Sequence, residues 1–219
     1  AIAEKGGFPT MKALFCLALA ALPALGEHPE ASLAPIAVYT RFQHEPPTAV
    51  FDALQNEVNS IMAPTDLRFS WRSLSAAQRG VVAVKSVVIT FKGTCDVIGL
   101  TPHNSNPGPL GWTHISDGVI LPFAEVDCQG IRGLIQKQLL IIPSEDREGA
   151  YGRALGRVLA HELFHIFANT TRHGSCGIAK SKYTVQELLS PKFQFEARES
   201  FALRTSKAHT ALEWAAFGR

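Results

Sequence analysis

The chain has 219 residues, of which 46% are hydrophobic and 18% charged, and its formal net charge is +2. That composition belongs to a folded globular protein and excludes a disordered one; the length suits one ordinary domain with a sizeable core. Charge is nearly balanced and no block of Lys or Arg stands out, which argues against nucleic acid as a partner.

Near the start, Met11-Lys12 leads into an apolar run over residues 13–22, followed by Ala24-Leu25-Gly26. A short basic start, an apolar core too short to span a bilayer and a small-x-small site are the parts of a secretory signal. The pattern predicts a start at Met11, an upstream stretch plus signal over residues 1–26, and a mature domain over residues 27–219 that is secreted or periplasmic. No later apolar run has the length of a membrane span. Cleavage leaves Cys95, Cys128 and Cys176. An exported protein keeps disulfides, and Cys95 with Cys128 is the favoured pair, leaving Cys176 as an odd thiol.

Residues 34–42 are β-branched and aromatic and read as a strand. Pro46-Pro47-Thr48 opens a helical pattern in which Val50, Leu54, Val58 and Ile61 recur up to a stop at Pro64. Residues 67–72 alternate apolar with polar, as a half-buried strand does. Residues 81–91 form another, and Val87-Val88-Ile89 predicts burial on both faces. After a Pro/Gly/Asn loop over residues 104–111 comes a hairpin: an arm over 112–115, a turn at Asp117-Gly118 and a second arm over 119–126. Pro122 predicts that this second arm is an edge strand or a bulged one.

The remainder is helical. Residues 130–140 make a short helix and 148–169 a longer one, whose Leu155, Val158, Leu159, Leu163, Ile166 and Phe167 form a broad apolar face. Gly152 and Gly156 lie one turn apart on it and cost helix propensity, so a packing reason is expected. From Phe193 onward a final amphipathic helix is predicted, with Phe201, Leu203, Ala208, Leu212 and Ala215 inward. There is no internal repeat or dividing linker. The order of elements gives a single α/β (α+β) domain.

The chemistry centres on His161-Glu162-Leu163-Phe164-His165. On a helix, residues four apart share a face, so His161 and His165 point the same way and can grip one zinc ion, with Glu162 beside it. A catalytic zinc takes three protein ligands and leaves a fourth position open. His173 is the leading third ligand: Asn169 can end the helix in a left-handed turn and bring the chain back toward the metal. Glu187, Glu196, Glu199 and Cys176 are alternatives, and His114 is a further one upstream.

Residues 158–166 resemble the active-site helix of zincin metallopeptidases. With a third histidine just after it, the segment is most similar to the metzincin clan and its short secreted proteases, whose pattern is H-E-x-x-H-x-x-G-x-x-H. Ala168 stands at the glycine position and Thr171 at the last histidine, so His173 comes two residues late. The clan's downstream Met-turn has no counterpart, since the methionines are Met11 and Met62. The resemblance implies a zincin-like domain, in which a twisted mixed sheet packs on the active-site helix ahead of a C-terminal helical part. It also implies a zinc endopeptidase that hydrolyses peptide or protein substrates through a zinc-activated water, with Glu162 as general base. Tyr183 and His114 are candidates for a second electrophile. Residues Gly111, Trp112, Thr113 and His114 are the candidate substrate-binding edge. The competing reading is a secreted zinc-binding module without turnover, with Cys176 or another side chain closing the coordination.

Overall fold

The structure is a computed structural model that describes residues 34–76 and 83–217; the signal-like segment over residues 1–26 lies outside them. The β-branched run becomes β1 (Ile36–His44), and the pattern opened by Pro47 becomes α1 (Thr48–Met62). Next come β2 (Phe69–Ser73), β3 (Ser86–Thr94), β4 (Gly111–Ser116) and β5 (Val119–Asp127). Helices α2 (Cys128–Ile141) and α3 (Arg147–Ala168) complete the central part. Three shorter helices close the chain: α4 (Val185–Leu189), α5 (Ala197–Arg204) and α6 (Lys207–Phe217). Among the described residues no helix is long and apolar enough to cross a membrane.

The strands form one mixed five-stranded sheet in the order β2-β1-β3-β5-β4. Every neighbouring pair is parallel except β4 with β5, which make the hairpin. With its helices this is an α/β fold. The central strand β3 alternates rather than being buried throughout: Val87, Ile89 and Phe91 are buried, whereas Val88 is half-exposed. The expectation of burial on both faces therefore fails at Val88. The second face of the sheet carries a shallow pocket, to which Val88, Thr90 and Phe123 contribute.

Pro122 is explained by its place in two ladders. β5 is interior, so the edge reading of this arm is corrected; the bulge reading is the one observed. Pairing of β5 with β3 begins at Phe123, so Pro122 owes that ladder no N–H. On the β4 side the register slips, with Thr113 opposite Ala124 but Ile115 opposite Ile120. The edge strand on this side is β4.

α3 is held at close range. A Cβ on Gly152 would run into the Val50 carbonyl and sit 2.7 Å from the Ala53 Cβ; one on Gly156 would sit 2.9 Å from the Leu54 carbonyl oxygen. The two glycines thus let α1 and α3 touch backbone to backbone. Arg157, fully buried on α3, tightens the same junction. Its Nε donates to Glu57 Oε1 at 2.6 Å, its Nη1 to the Glu187 carbonyl at 2.6 Å and its Nη2 to the Ser190 carbonyl at 2.7 Å. One guanidinium therefore ties α1, α3 and the chain around α4.

The Cys95–Cys128 disulfide joins the end of β3 to the first residue of α2, with the Cα atoms 4.9 Å apart. Cys176 is a free, exposed thiol. The C-terminal helix expected from residue 193 onward is instead two, α5 and α6, parted at Thr205-Ser206, where Ser206 N bonds the Leu203 carbonyl. Leu203, Ala208 and Leu212 are buried as expected, but Phe201 is 61% exposed and Ala215 half-buried. A single helical period drawn across that break misassigns Phe201.

Gly152→Ala should destabilise the protein by about 1–3 kcal/mol through overpacking against α1. Gly149→Ala serves as its control: a Cβ there meets only Arg153 Nη1, at 3.9 Å, and should be neutral or stabilising. Arg157→Ala should cost about 3–5 kcal/mol, because it strands a carboxylate and two carbonyls. Denaturant unfolding measures all three.

Candidate metal centre

The end of α3 builds the site. Its last turns place His161 and His165 on one buried face, and Asn169 caps the helix in a left-handed conformation (φ 50°, ψ 53°). The chain then doubles back. Thr170 N bonds the His165 carbonyl at 3.2 Å, and His173 arrives over the two rings with centroids 5.2 Å from His161 and 4.9 Å from His165. Ligand nitrogens of His161, His165 and His173 all lie within 4.8 Å of one another, a group that could hold a metal ion.

The outer nitrogens decide the protonation. His161 Nδ1 lies 2.8 Å from the Ile178 carbonyl, and His165 Nδ1 lies 2.7 Å from the Thr170 carbonyl. A carbonyl only accepts, so each Nδ1 carries the proton. Burial pushes the His161 pKa down to about 4 and lowers that of His165, so both rings are neutral at ordinary pH. Their bare Nε2 atoms then face each other 2.9 Å apart. Two lone pairs at that range repel unless a cation is shared between them. The donor set and its tautomers therefore fit a divalent metal, with backbone carbonyls orienting the rings.

Glu162 sits beside this group. Its Oε2 accepts from Thr113 Oγ1 at 2.8 Å, and burial pushes its pKa up to about 7 against the lowering effect of that bond. Gly111 explains how β4 comes so near: a Cβ there would lie 2.9 Å from Glu162 Oε1 and 2.9 Å from Val158 Cγ1. The imidazoles and Glu162 share an open cleft of about 760 Å³. Leu110, Leu134 and Val158 give it apolar lining; Lys180, Lys182 and Tyr183 give it polar lining.

Gly111, Trp112 and Thr113 border this cleft, but His114 does not. His114 Nε2 lies 3.3 Å from Glu125 Oε1 and belongs to the shallow pocket on the other face of the sheet. Alternation along β4 turns its side chain away from that of Thr113, so the imidazole lies outside this cleft and apart from the three clustered histidines. The alternative third ligands are also placed elsewhere. Glu187 caps α4 and pairs with Lys180, Glu196 is exposed at the start of α5, and Cys176 is exposed outside the trio. Glu199 is buried but is not part of the trio either.

Tyr183 does line the cleft, with its hydroxyl donating to the Ile178 carbonyl and its ring 5.9 Å from that of His161. Burial, with Glu162 nearby, raises its pKa well above the usual value. In this arrangement its hydroxyl is engaged by the same carbonyl that orients His161. Sequence reasoning missed the carbonyls of Thr170 and Ile178, for which no side-chain signal exists. It also missed Arg157, whose signal was a cation set among the apolar Leu155, Val158 and Leu159.

The chain matches no model of a known protein family, and no curated protein matches it. Function must therefore be read from the site's own geometry.

His173→Ala should reduce zinc affinity by more than the about 10–100-fold that loss of an outer partner costs. Competition with a chromophoric chelator measures it, and unchanged affinity would place the third ligand elsewhere.

Proposed function

We propose that the protein is a metal-dependent hydrolase. Within that class, the motif and the cleft favour a zinc peptidase in which His161, His165 and His173 hold the metal. One observation carries the reading: the Nε2 atoms of two imidazoles whose Nδ1 atoms rest on backbone carbonyls lie 2.9 Å apart, in the same open cleft as Glu162. Zinc bound there supplies Lewis acidity toward a peptide carbonyl and a water molecule.

Glu162 moves the proton. Thr113 holds its Oε2, which leaves Oε1, on the side of Gly111, to take a proton from water and return it to the leaving amine. Among the described residues β4 is the outermost strand on this side of the sheet, so Gly111, Trp112 and Thr113 can receive a substrate peptide as an added strand. The lack of a side chain at Gly111 lets that strand run close to the carboxylate.

A zinc-binding module without turnover needs a fourth protein ligand. Cys176, the natural choice, is exposed and apart from the three imidazoles, which favours hydrolysis. The Cys95–Cys128 disulfide supports export, because such bonds persist in oxidising compartments.

Glu162→Gln should keep zinc stoichiometry while lowering kcat/KM on a peptide library by about 10²–10⁴-fold. Full activity in this variant would remove Glu162 from the chemistry; loss of zinc would recast it as a structural residue.

A further inference from the structure

Two of the three imidazoles rest their outer nitrogen on a backbone carbonyl, Ile178 for His161 and Thr170 for His165. His173 has no hydrogen-bond partner among the described residues, and its ring is the exposed one of the three. Beside its arm lies a carboxylate with no assigned task. Glu199 is only 9% exposed, and its Oε2 is buried without a partner among the described residues. Its Oε1 lies 3.0 Å from where a Cβ would stand on Gly174, the residue that follows His173. Glycine at that position lets the returning chain pass over the carboxylate.

Glu199 does not serve its own helix. It occupies the first turn of α5, where an acidic side chain can reach back to the cap, yet no side-chain cap bond is made. It forms no ion pair with Lys, Arg or His among the described residues. A buried carboxylate without a counter-charge is costly, and such a group persists where something compensates it. The metal centre offers that compensation. Imidazole ligands bring no charge to a divalent cation, so its balance falls to carboxylates, of which Glu162 is one and Glu199 a second.

We propose that Glu199 is the outer carboxylate of the metal centre, a positioning residue that balances the cation's charge from beneath the His173 arm. The inference rests on the metal-binding part of the reading above and not on peptide hydrolysis. It also gives Glu199 a role outside direct coordination: it steadies the arm that carries a ligand.

The test compares wild type, Glu199→Gln and Glu199→Asp by two measurements: zinc affinity in competition with a chromophoric chelator, and thermal unfolding of the metal-free proteins. Glu199→Gln should lose about 10–100-fold in zinc affinity, while its metal-free Tm holds or rises because an unpaired buried charge has gone. Glu199→Asp keeps the charge and should recover most of the affinity. Three results overturn the proposal: unchanged zinc affinity in Glu199→Gln, a fall in its metal-free Tm that marks a packing role, or an Asp variant as weak as the Gln variant. A wild-type chain that binds no zinc brings down the metal centre and this inference together. Because affinity is read without turnover, a wild type that binds zinc but cleaves no peptide sinks the peptidase reading alone.

Discussion

Burial of ionisable side chains on α3 is the constraint around which the rest is arranged. His161, Glu162 and His165 are each under a tenth exposed on a helix whose other neighbours are Leu, Phe and Ala. Polar groups so placed need partners, and each finds one outside the helix. The Ile178 carbonyl meets His161, the Thr170 carbonyl meets His165, and the Thr113 hydroxyl from the edge strand meets Glu162. These three bonds hold the returning loop and β4 against the end of α3. The cleft is the space they leave between them.

That arrangement works only if α3 sits at a fixed depth. The glycine contact with α1 sets how close the two helices come, and Arg157, one turn before His161, clamps the chain around α4 to the same helix. Tyr183 adds a further link, since its hydroxyl and His161 Nδ1 share the Ile178 carbonyl. The short return itself is stitched by Gly174 N to the Ala179 carbonyl at 2.8 Å. A single loop thus delivers the third imidazole and also orients the first.

Much of this was legible in the sequence, for identifiable reasons. The helix spacing of His161 and His165 and the left-handed preference of Asn169 together pointed to His173, because helix periodicity and capping are local properties. Gly152 and Gly156 announced a close approach, though not to which helix. The Cys95–Cys128 pairing was a choice among few cysteines. What failed was non-local. Pro122 signalled irregularity, but whether β5 lay at an edge depended on the parallel pairing of β3, far away in sequence. His114 was grouped with Gly111 and Thr113 by proximity along the chain, whereas strand alternation sends it to the opposite face. Phe201 was misplaced because a continuous period was drawn through the break at Ser206. Carbonyl partners carry no residue identity, so the groups that fix the imidazole tautomers could not be read at all.

The most direct test is zinc K-edge X-ray absorption on the purified, zinc-loaded wild-type protein, with metal content measured alongside. One zinc per chain with nitrogen and oxygen ligands only, three of them imidazoles, is the predicted result. A sulfur ligand would mean that Cys176 closes the site, and a chain that retains no zinc would contradict the zinc centre.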